Sequence, residues 1–207
     1  MPRLRFLSAT ATRHRFVRWF VTVLAIGGVI GGGLTYRHHK RYRHFAVHES
    51  GKVYRSAWVD ADVFREVIER EKIRTVVNLC FPGEMGNRIE GQREAVYESG
   101  AKLLELPFPP NSTWDIDYPA VRQMEAVFAD PANYPIWIHC QHGRERTVKA
   151  LAIYDIGRRG MTAGESLESM PLFGMPHPWP TVVFAHIYQS HHDAARTAAD
   201  ETGQQLR

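Results

Sequence analysis

The chain has 207 residues, of which 44% are hydrophobic and 23% charged, a composition that suits one globular domain with an appendage. Its formal net charge of +4 arises in residues 1–44, which hold nine Lys and Arg and no Asp or Glu; the remaining 17 basic and 22 acidic residues argue against the basic surface that a nucleic-acid partner requires. The two cysteines, Cys80 and Cys140, are too few for a disulfide scaffold and are not clustered as zinc ligands are, so we expect no metal or other cofactor.

The first predicted element is a membrane anchor. Residues 19–36 carry no charge and lie between arginine clusters, and a helix of that length, at about 1.5 Å per residue, crosses roughly 27 Å of hydrocarbon. A cleaved signal peptide would show an A-x-A-like site after the apolar run, where this sequence is strongly basic. We therefore predict a single-pass membrane protein with a basic N-terminal segment at 1–18, a transmembrane anchor at 19–36 and a basic linker at 37–50. Because basic residues stand on both sides of the span, its sidedness stays open.

Four glycines in this span produce two overlapping G-x-x-x-G spacings: Gly27, Gly28, Gly31 and Gly32. Small residues at that spacing allow two membrane helices to approach closely. A homodimer through the span is therefore one hypothesis, and the other is that glycine is simply common in membrane helices.

Beyond the linker, predicted strands alternate with predicted helices. Hydrophobic periodicity and turn residues predict an extended segment at 52–58, strands at 75–80, 102–108 and 135–139, and helices at 60–72, 87–99, 118–129, 147–157 and 179–200. Asp60 is a candidate cap for the first of these helices. The alternation predicts an α/β fold, with a compact domain at 51–190 whose central, mostly parallel sheet is flanked by helices, and a polar C-terminal tail at 191–207.

The candidate active site is the segment His-Cys-Gln-His-Gly-Arg-Glu-Arg-Thr at residues 139–147. A strand leads into Cys140, and five residues later Arg146 begins a helix. A loop of this length around a helix N-terminus directs several backbone N–H groups to one point, where the helix dipole adds positive potential. Gly143 lets the loop turn tightly without a Cβ that would obstruct a ligand. We therefore predict that an oxyanion such as phosphate binds here.

Three side chains of this loop have predicted chemical roles. A thiolate is favoured over a thiol at a helix N-terminus beside guanidinium groups, so Cys140 is the predicted nucleophile. Arg146 presents a planar fork that matches two phosphate oxygens. The Thr147 hydroxyl can donate to the sulfur and make it a better leaving group. His139, just before the loop, is better placed to hold the loop geometry than to act as a base.

With these residues, the sequence resembles the protein tyrosine and dual-specificity phosphatase superfamily, whose signature is His-Cys, five residues, Arg, then Ser or Thr. The match includes His139, Cys140, Gly143, Arg146 and Thr147. It extends from about residue 53 to residue 156, because residues 53–56 and 75–79 look like the opening of compact dual-specificity-like domains. One departure is Val148, where many members have Gly. The resemblance implies hydrolysis of phosphate monoesters through a cysteinyl-phosphate intermediate.

The resemblance also implies a general acid that protonates the leaving oxygen, usually an aspartate from an upstream loop. Asp115 is the first choice, since Asp117 stands where the helix that begins near Tyr118 needs a cap. Glu145 is the alternative, because some relatives use an acidic residue directly before the loop arginine. If Glu145 is not the acid, we expect a salt bridge that stiffens the loop.

The sequence indicates the class of the substrate but not its identity. Gln141, His142 and Arg144 make the loop polar and basic, which suits an inositol phosphate or phosphoinositide as well as a phosphotyrosine or phosphoserine/threonine protein. A membrane anchor favours a phosphoinositide lipid as the substrate. The alternative functions are a membrane-tethered, phosphate-binding pseudophosphatase without turnover, and a sulfurtransferase or arsenate reductase, whose anion loops differ in length or position.

Residues 78–80, Asn-Leu-Cys, resemble the strand end of a phosphoinositide 3-phosphatase of this superfamily, where a cysteine can form a disulfide with the nucleophile. A reversible bond between Cys80 and Cys140 is therefore one hypothesis. The other is that Cys80 is a small buried apolar residue.

Overall fold

The computed structural model describes the backbone of residues 9–109 and 116–205, and the side chains of residues 18–109 and 116–201. The chain divides into two units, Met1–Lys40 and Arg41–Arg207. The described part of the first unit is helical, and the second unit contains all the described strands.

The described part of the first unit belongs to helix α1 (Ala9–Tyr42). The stretch Arg18–Tyr42 is long and apolar enough to cross a membrane, and its side chains are exposed up to residue 41. Residues 37–42, predicted as linker, continue the helix because neither proline nor glycine interrupts them. The helix ends before Arg43 and His44, whose positive φ values of 28° and 61° are incompatible with a further helical turn.

The second unit contains a five-stranded sheet and its helices. The strands are β1 (Ala46–Glu49), β2 (Val53–Ala57), β3 (Thr75–Asn78), β4 (Lys102–Glu105) and β5 (Ile136–Cys140). The helices are α2 (Ala61–Glu71), α3 (Arg88–Glu98), α4 (Pro119–Ala129), α5 (Arg146–Arg159), α6 (Ala163–Ser169) and α7 (Trp179–Gln205), with a 3-10 turn at Pro131–Asn133. Helices α2 and α3 pack together, and α4, α6 and α7 pack around α5.

The sheet order is β1-β2-β5-β3-β4, and every neighbouring pair is parallel except the antiparallel pair β1 and β2. This confirms the predicted α/β fold with a mostly parallel sheet flanked by helices. Strands β2, β3 and β5 are buried along their whole length, as expected for parallel strands covered on both faces. Ala57 pairs with Cys140, and Asn78 pairs with His139. The carboxyl ends of β2, β3 and β5 therefore meet at one edge, where open α/β sheets bind their ligands.

Several predicted boundaries differ from the structure at the N-terminal side. Part of the predicted linker is strand β1, which pairs with β2, and the compact unit begins at Arg41 rather than at residue 51. The extended stretch at 102–108 forms a strand only to Glu105, since Pro107 has no N–H to offer to a ladder. Asp60 does precede α2, but its carboxylate pairs with Arg88 at 2.9 Å and makes no capping hydrogen bond.

Predicted boundaries on the C-terminal side also differ from the structure. Helix α6 was not predicted, although Thr162 and Glu165 form a capping box at its start. Much of the segment predicted as a polar tail at 191–207 belongs to α7, which continues to Gln205. Alanines in that stretch favour the helix without needing an apolar face to bury.

Candidate active site

Residues 140–145, which we call the catalytic loop after its predicted role, connect the buried strand β5 to the first turn of α5. Cys140 is the last residue of β5 and is 2% exposed. Its Sγ accepts a hydrogen bond from the backbone N–H of Gly143 at 3.2 Å. An amide that donates to the sulfur stabilises a thiolate more than a thiol. The structure therefore places the predicted nucleophile inside the loop and points a backbone donor at it.

Gly143 is required by the close approach of strand β2. Its φ is +67°, and a Cβ at this position would lie 2.5 Å from both the Ala57 nitrogen and the Ser56 oxygen. These are backbone atoms that cannot move aside without shifting the strand. The prediction of a glycine in a tight turn is correct, but the Cβ would collide with β2, a neighbour that the sequence pattern did not reveal.

Arg55 of strand β2 reaches the same loop from within the protein. It is completely buried, and its Nη2 donates a hydrogen bond to the Gly143 carbonyl. Its Nε and Nη1 have no hydrogen-bond partner among the described residues. Burial lowers the pKa of Arg55 to about 10, and the nearby charge of Cys140 partly opposes this shift. The sequence predicted an extended segment at 52–58, and residues 53–56 were part of the family resemblance, but Arg55 was given no role. A lone arginine in a buried strand was the signal that could have identified it.

Arg146 is held in place by Glu84, which lies in the turn after β3. Nη1 donates to Glu84 Oε1 at 2.7 Å and to the Leu79 carbonyl at 3.2 Å, and Nη2 donates to Glu84 Oε2 at 2.8 Å. Burial would raise the pKa of Glu84, but its hydrogen bonds to Arg146 lower it below the usual value. Glu84 was not predicted, because nothing local indicates that this turn faces a residue far along the chain.

The contacts of Arg146 leave a defined set of donors. A guanidinium carries five N–H groups, and Glu84 and Leu79 use both on Nη1 and one on Nη2. The Nε–H and the second Nη2–H remain without a partner among the described residues. These two N–H groups lie side by side on one edge of the plane, which is the geometry that binds two oxygens of one phosphate.

His139 lies beneath the loop in a buried polar chain. Its Nε2 contacts the side-chain amide of Gln92, which accepts a hydrogen bond from Asn78 Nδ2 at 3.2 Å. Asn78 Oδ1 in turn accepts the N–H of Cys80 at 2.9 Å. Burial lowers the pKa of His139 to about 3, so the ring is neutral at physiological pH. This environment agrees with the prediction that His139 holds the loop geometry.

No protein-family model and no curated protein sequence matches the chain. Solved structures do match. The core catalytic domain of the PP-IP phosphatase SIW14 from S. cerevisiae, in complex with citrate, has a TM-score of 0.58 at 22% identity and covers 76% of this chain and 92% of its own. TpbA from P. aeruginosa has a TM-score of 0.52 at 23% identity, covering 72% and 86%. PTPMT1 in complex with PI(5)P has a TM-score of 0.59 at 14% identity, covering 73% and 98%.

These neighbours are cysteine-dependent enzymes of the protein tyrosine and dual-specificity phosphatase type. The chain has the cysteine-dependent phosphatase fold. The resemblance inferred from the loop motif is thus confirmed for the fold of the second unit.

In this phosphatase fold, Thr147 occupies the first turn of α5. Its Oγ1 is buried and has no hydrogen-bond partner among the described residues. The predicted hydrogen bond from Thr147 to the Cys140 sulfur is therefore not formed in this structure. A buried hydroxyl without a hydrogen-bond partner lowers the stability of the folded protein. Packing alone therefore does not explain why a threonine stands at position 147.

The candidate acids of the phosphatase fold have different positions. Glu145 is mostly buried and accepts a salt bridge from Lys149 Nζ at 3.1 Å, while Lys149 itself is fully buried. This is the salt bridge expected if Glu145 stiffens the loop. Asp117 is exposed and lies 3.6 Å from Arg122; the residue before α4 is Tyr118, so Asp117 is not its cap. Asp115 lies outside the described residues.

The other loop side chains form the rim of the site. Gln141 is half-buried and His142 is exposed. Arg144 turns outward, where Nη1 lies 3.0 Å from Met175 Sδ and Nη2 donates to the Pro176 carbonyl at 3.3 Å. These side chains make the loop polar and basic, and Arg144 is bound to the segment between α6 and α7. Among residues 18–109 and 116–201, no three His, Cys, Asp or Glu side chains are grouped to hold a metal ion.

Cys80 is buried next to the catalytic loop, and both cysteines are free thiols. Burial raises the pKa of Cys80 to about 12, with Arg146 opposing the shift and Cys140 adding to it. The Gln141 backbone also opposes this rise in the pKa of Cys80. Cys80 is therefore a protonated thiol in the immediate neighbourhood of Cys140.

Proposed function

We propose that the chain is a cysteine-dependent phosphatase that hydrolyses phosphate monoesters. Two features of the loop support this proposal. The Cys140 sulfur accepts a hydrogen bond from the Gly143 N–H, and Arg146 retains two adjacent N–H groups that Glu84 does not occupy. A phosphate held by those donors and by the loop amides would have its phosphorus next to the sulfur.

The proposed reaction has two steps. In the first, the Cys140 thiolate attacks phosphorus, the bond from phosphorus to the leaving oxygen breaks, and Asp115 protonates that oxygen. In the second, the resulting carboxylate takes a proton from water, which attacks the cysteinyl phosphate and releases phosphate and the thiolate. We propose that the Thr147 hydroxyl turns to the sulfur as it leaves. Glu145 is the alternative acid, which would first have to leave Lys149.

The substrate is proposed from the loop and from the neighbours. The rim contributed by Gln141, His142 and Arg144 suits a substrate with more than one anionic group, and SIW14 is a PP-IP phosphatase while PTPMT1 was crystallised with PI(5)P. We therefore propose phosphorylated proteins, inositol phosphates or phosphoinositides as substrates. We further propose that α1 anchors the enzyme as a single-pass membrane protein, with helix pairing through its glycines as a route to a homodimer.

The test is hydrolysis of an aryl phosphate by the full chain in detergent, with a chelator present. We expect turnover that vanadate inhibits and that Cys140→Ser abolishes, while Cys80→Ser, the matched cysteine control, retains it. A phosphate label trapped on wild-type protein by acid quenching should be absent from Cys140→Ser. If wild-type protein binds vanadate but hydrolyses neither aryl phosphates, phosphopeptides nor inositol phosphates, the chain is instead a phosphate-binding pseudophosphatase.

A further inference from the structure

The segment between α6 and α7, together with the first residue of α7, displays apolar side chains to solvent. Leu172, Met175 and Trp179 are 49%, 55% and 67% exposed. In the second unit, the other large apolar side chains exposed among the described residues are Val47 and Tyr97, which lie far apart in the sequence. Single exposed apolar residues are ordinary, whereas several in one short segment indicate a contact surface. We refer to residues 172–179 as the apolar segment.

The apolar segment is fixed to the catalytic loop. The Phe173 ring stacks on His44, with centroids 4.4 Å apart, and lies 5.2 Å from the Arg55 guanidinium that binds the Gly143 carbonyl. A turn is closed by the hydrogen bond from the Met175 N–H to the Leu172 carbonyl at 3.2 Å. Phe173 has a φ of +50°, a backbone conformation that persists only where surrounding contacts impose it. The exposed side chains are therefore held beside the active site.

The charge around the apolar segment is positive. Arg144 contacts it directly, and the half-buried Arg43 directly precedes His44, whose Nδ1 donates a hydrogen bond to the His142 carbonyl at 2.9 Å. The sequence from residue 169 to residue 192 contains no Asp or Glu. Apolar side chains bordered by cations match a bilayer surface with anionic headgroups better than they match a polar protein surface.

Along the chain, the region that contacts the apolar segment follows a candidate membrane span. His44, which stacks on Phe173, comes two residues after the end of α1. The stretch Arg18–Tyr42 of that helix is long and apolar enough to cross a membrane.

We propose that the apolar segment is a lipid-contact surface, and that the substrate is a phosphate monoester on the headgroup of a membrane lipid. This rests on the phosphatase activity proposed above and narrows its substrate class. Leu172 and Trp179 enter the interfacial region, and the active site meets headgroups in the plane of the bilayer. The bilayer is the proposed partner of this surface. A phosphoprotein substrate would have to contact the same exposed apolar side chains.

The experiment compares hydrolysis of the same phosphorylated headgroup on a vesicle lipid and on a water-soluble analogue. The full chain is reconstituted in phosphatidylcholine vesicles that contain a phosphatidylinositol monophosphate, and is assayed separately on the water-soluble dibutanoyl analogue and on an aryl phosphate. In Leu172→Ser/Trp179→Ser we expect kcat/KM for the vesicle lipid to fall by about tenfold or more, as lost apolar burial implies. Turnover of the two soluble substrates should stay unchanged. The matched control, Val47→Ser/Tyr97→Ser, should leave all three rates unchanged.

A second readout does not depend on activity. Brominated lipids should quench a part of the tryptophan fluorescence of wild-type protein that is missing in Trp179→Phe. An equal loss on vesicle and soluble substrates, no loss on either, or absence of the Trp179 quenching would overturn the lipid-contact surface. If aryl phosphate is hydrolysed while the vesicle lipid is not, the lipid substrate is wrong and the phosphatase stands. If no substrate is hydrolysed, the phosphatase proposal itself fails.

Discussion

Arg55 and Gly143 are joined by a hydrogen bond from the buried guanidinium Nη2 to the loop carbonyl. The carbonyl of residue 143 and the N–H of residue 144 belong to one planar peptide and point in opposite directions. Because the Gly143 carbonyl points towards Arg55, the backbone N–H of Arg144 points away from Arg55. A strand residue distant in the sequence thus controls the orientation of an amide in the catalytic loop.

Replacing Arg55 should therefore impair the loop more than the fold. In Arg55→Met we expect kcat on an aryl phosphate to fall by about tenfold to a hundredfold. This is less than the roughly hundredfold to thousandfold cost of removing an oxyanion donor, because Arg55 orients the amide and does not itself contact the phosphate. The melting temperature should change little, because the lost cation is buried with two of its nitrogens unpaired. Arg55→Lys, which keeps the charge, should recover part of the rate. An unaltered kcat in Arg55→Met would show that the contact is dispensable.

Gly143→Ala should disrupt the site sterically. The new Cβ would meet backbone atoms of β2 at 2.5 Å, in addition to the cost of a positive φ. We expect loss of aryl phosphatase activity and a lower melting temperature. Gly164→Ala is the matched control, because Gly164 lies in α6 and a Cβ added there would meet nothing within 4 Å, and alanine is favoured in a helix by roughly 1 kcal/mol over glycine. Equal behaviour of the two variants would contradict the close approach of β2.

The identity of the general acid can be determined from leaving-group dependence. If Asp115 is the acid, Asp115→Asn should slow hydrolysis of an alkyl phosphate by about a hundredfold or more and that of a nitrophenyl phosphate much less, because a good leaving group needs no proton. Glu145→Gln should then affect both substrates alike, through the lost salt bridge to Lys149. The reverse pattern in the two variants would assign the role to Glu145.

The neutral, buried His139 predicts a loss of stability in acid. Its pKa is about 3 in the folded protein and about 6.5 in the unfolded chain. Between these values the unfolded state binds the additional proton, so the free energy of unfolding decreases as the pH falls from 6.5 towards 3, by up to about 1.4 kcal/mol per pH unit. Denaturant titrations of the wild type and His139→Asn at several pH values would measure this. If both proteins show the same slope in this window, His139 does not titrate as the structure indicates.

The proximity of Cys80 and Cys140 predicts a disulfide under mild oxidation. Peroxide would convert the Cys140 thiolate to a sulfenic acid with release of hydroxide, and the Cys80 thiol would then displace water to form the bond. We expect a linked peptide by mass spectrometry that dithiothreitol removes. In Cys80→Ser, Cys140 should instead proceed to the sulfinic acid. Oxidation of wild-type Cys140 without any linked peptide would leave Cys80 as a packing residue.

The sequence by itself determined the parts of the protein that are encoded locally. Strand β5, the six-residue loop and helix α5 are contiguous, and a buried apolar run that leads into a helix N-terminus specifies an anion-binding loop without reference to other elements. For the same reason the spacing of Cys140, Gly143 and Arg146 was enough to predict them as site residues, and alternating periodicities were enough to predict the α/β class. Element ends were less accurate where prolines, capping residues or alanine-rich turns decide them, as in β4, α6 and α7.

The tertiary structure alone decided what surrounds that loop. Arg55 and Glu84 reach it because the sheet order places β5 between β2 and β3, and strand order follows from how apolar faces are covered throughout the domain. The steric need for Gly143, the salt bridge of Glu145 and the packing of Phe173 on Arg55 are likewise contacts that the folded chain creates. Periodicity within a short window reports which face of an element is buried, but it carries no information about the neighbour that buries it.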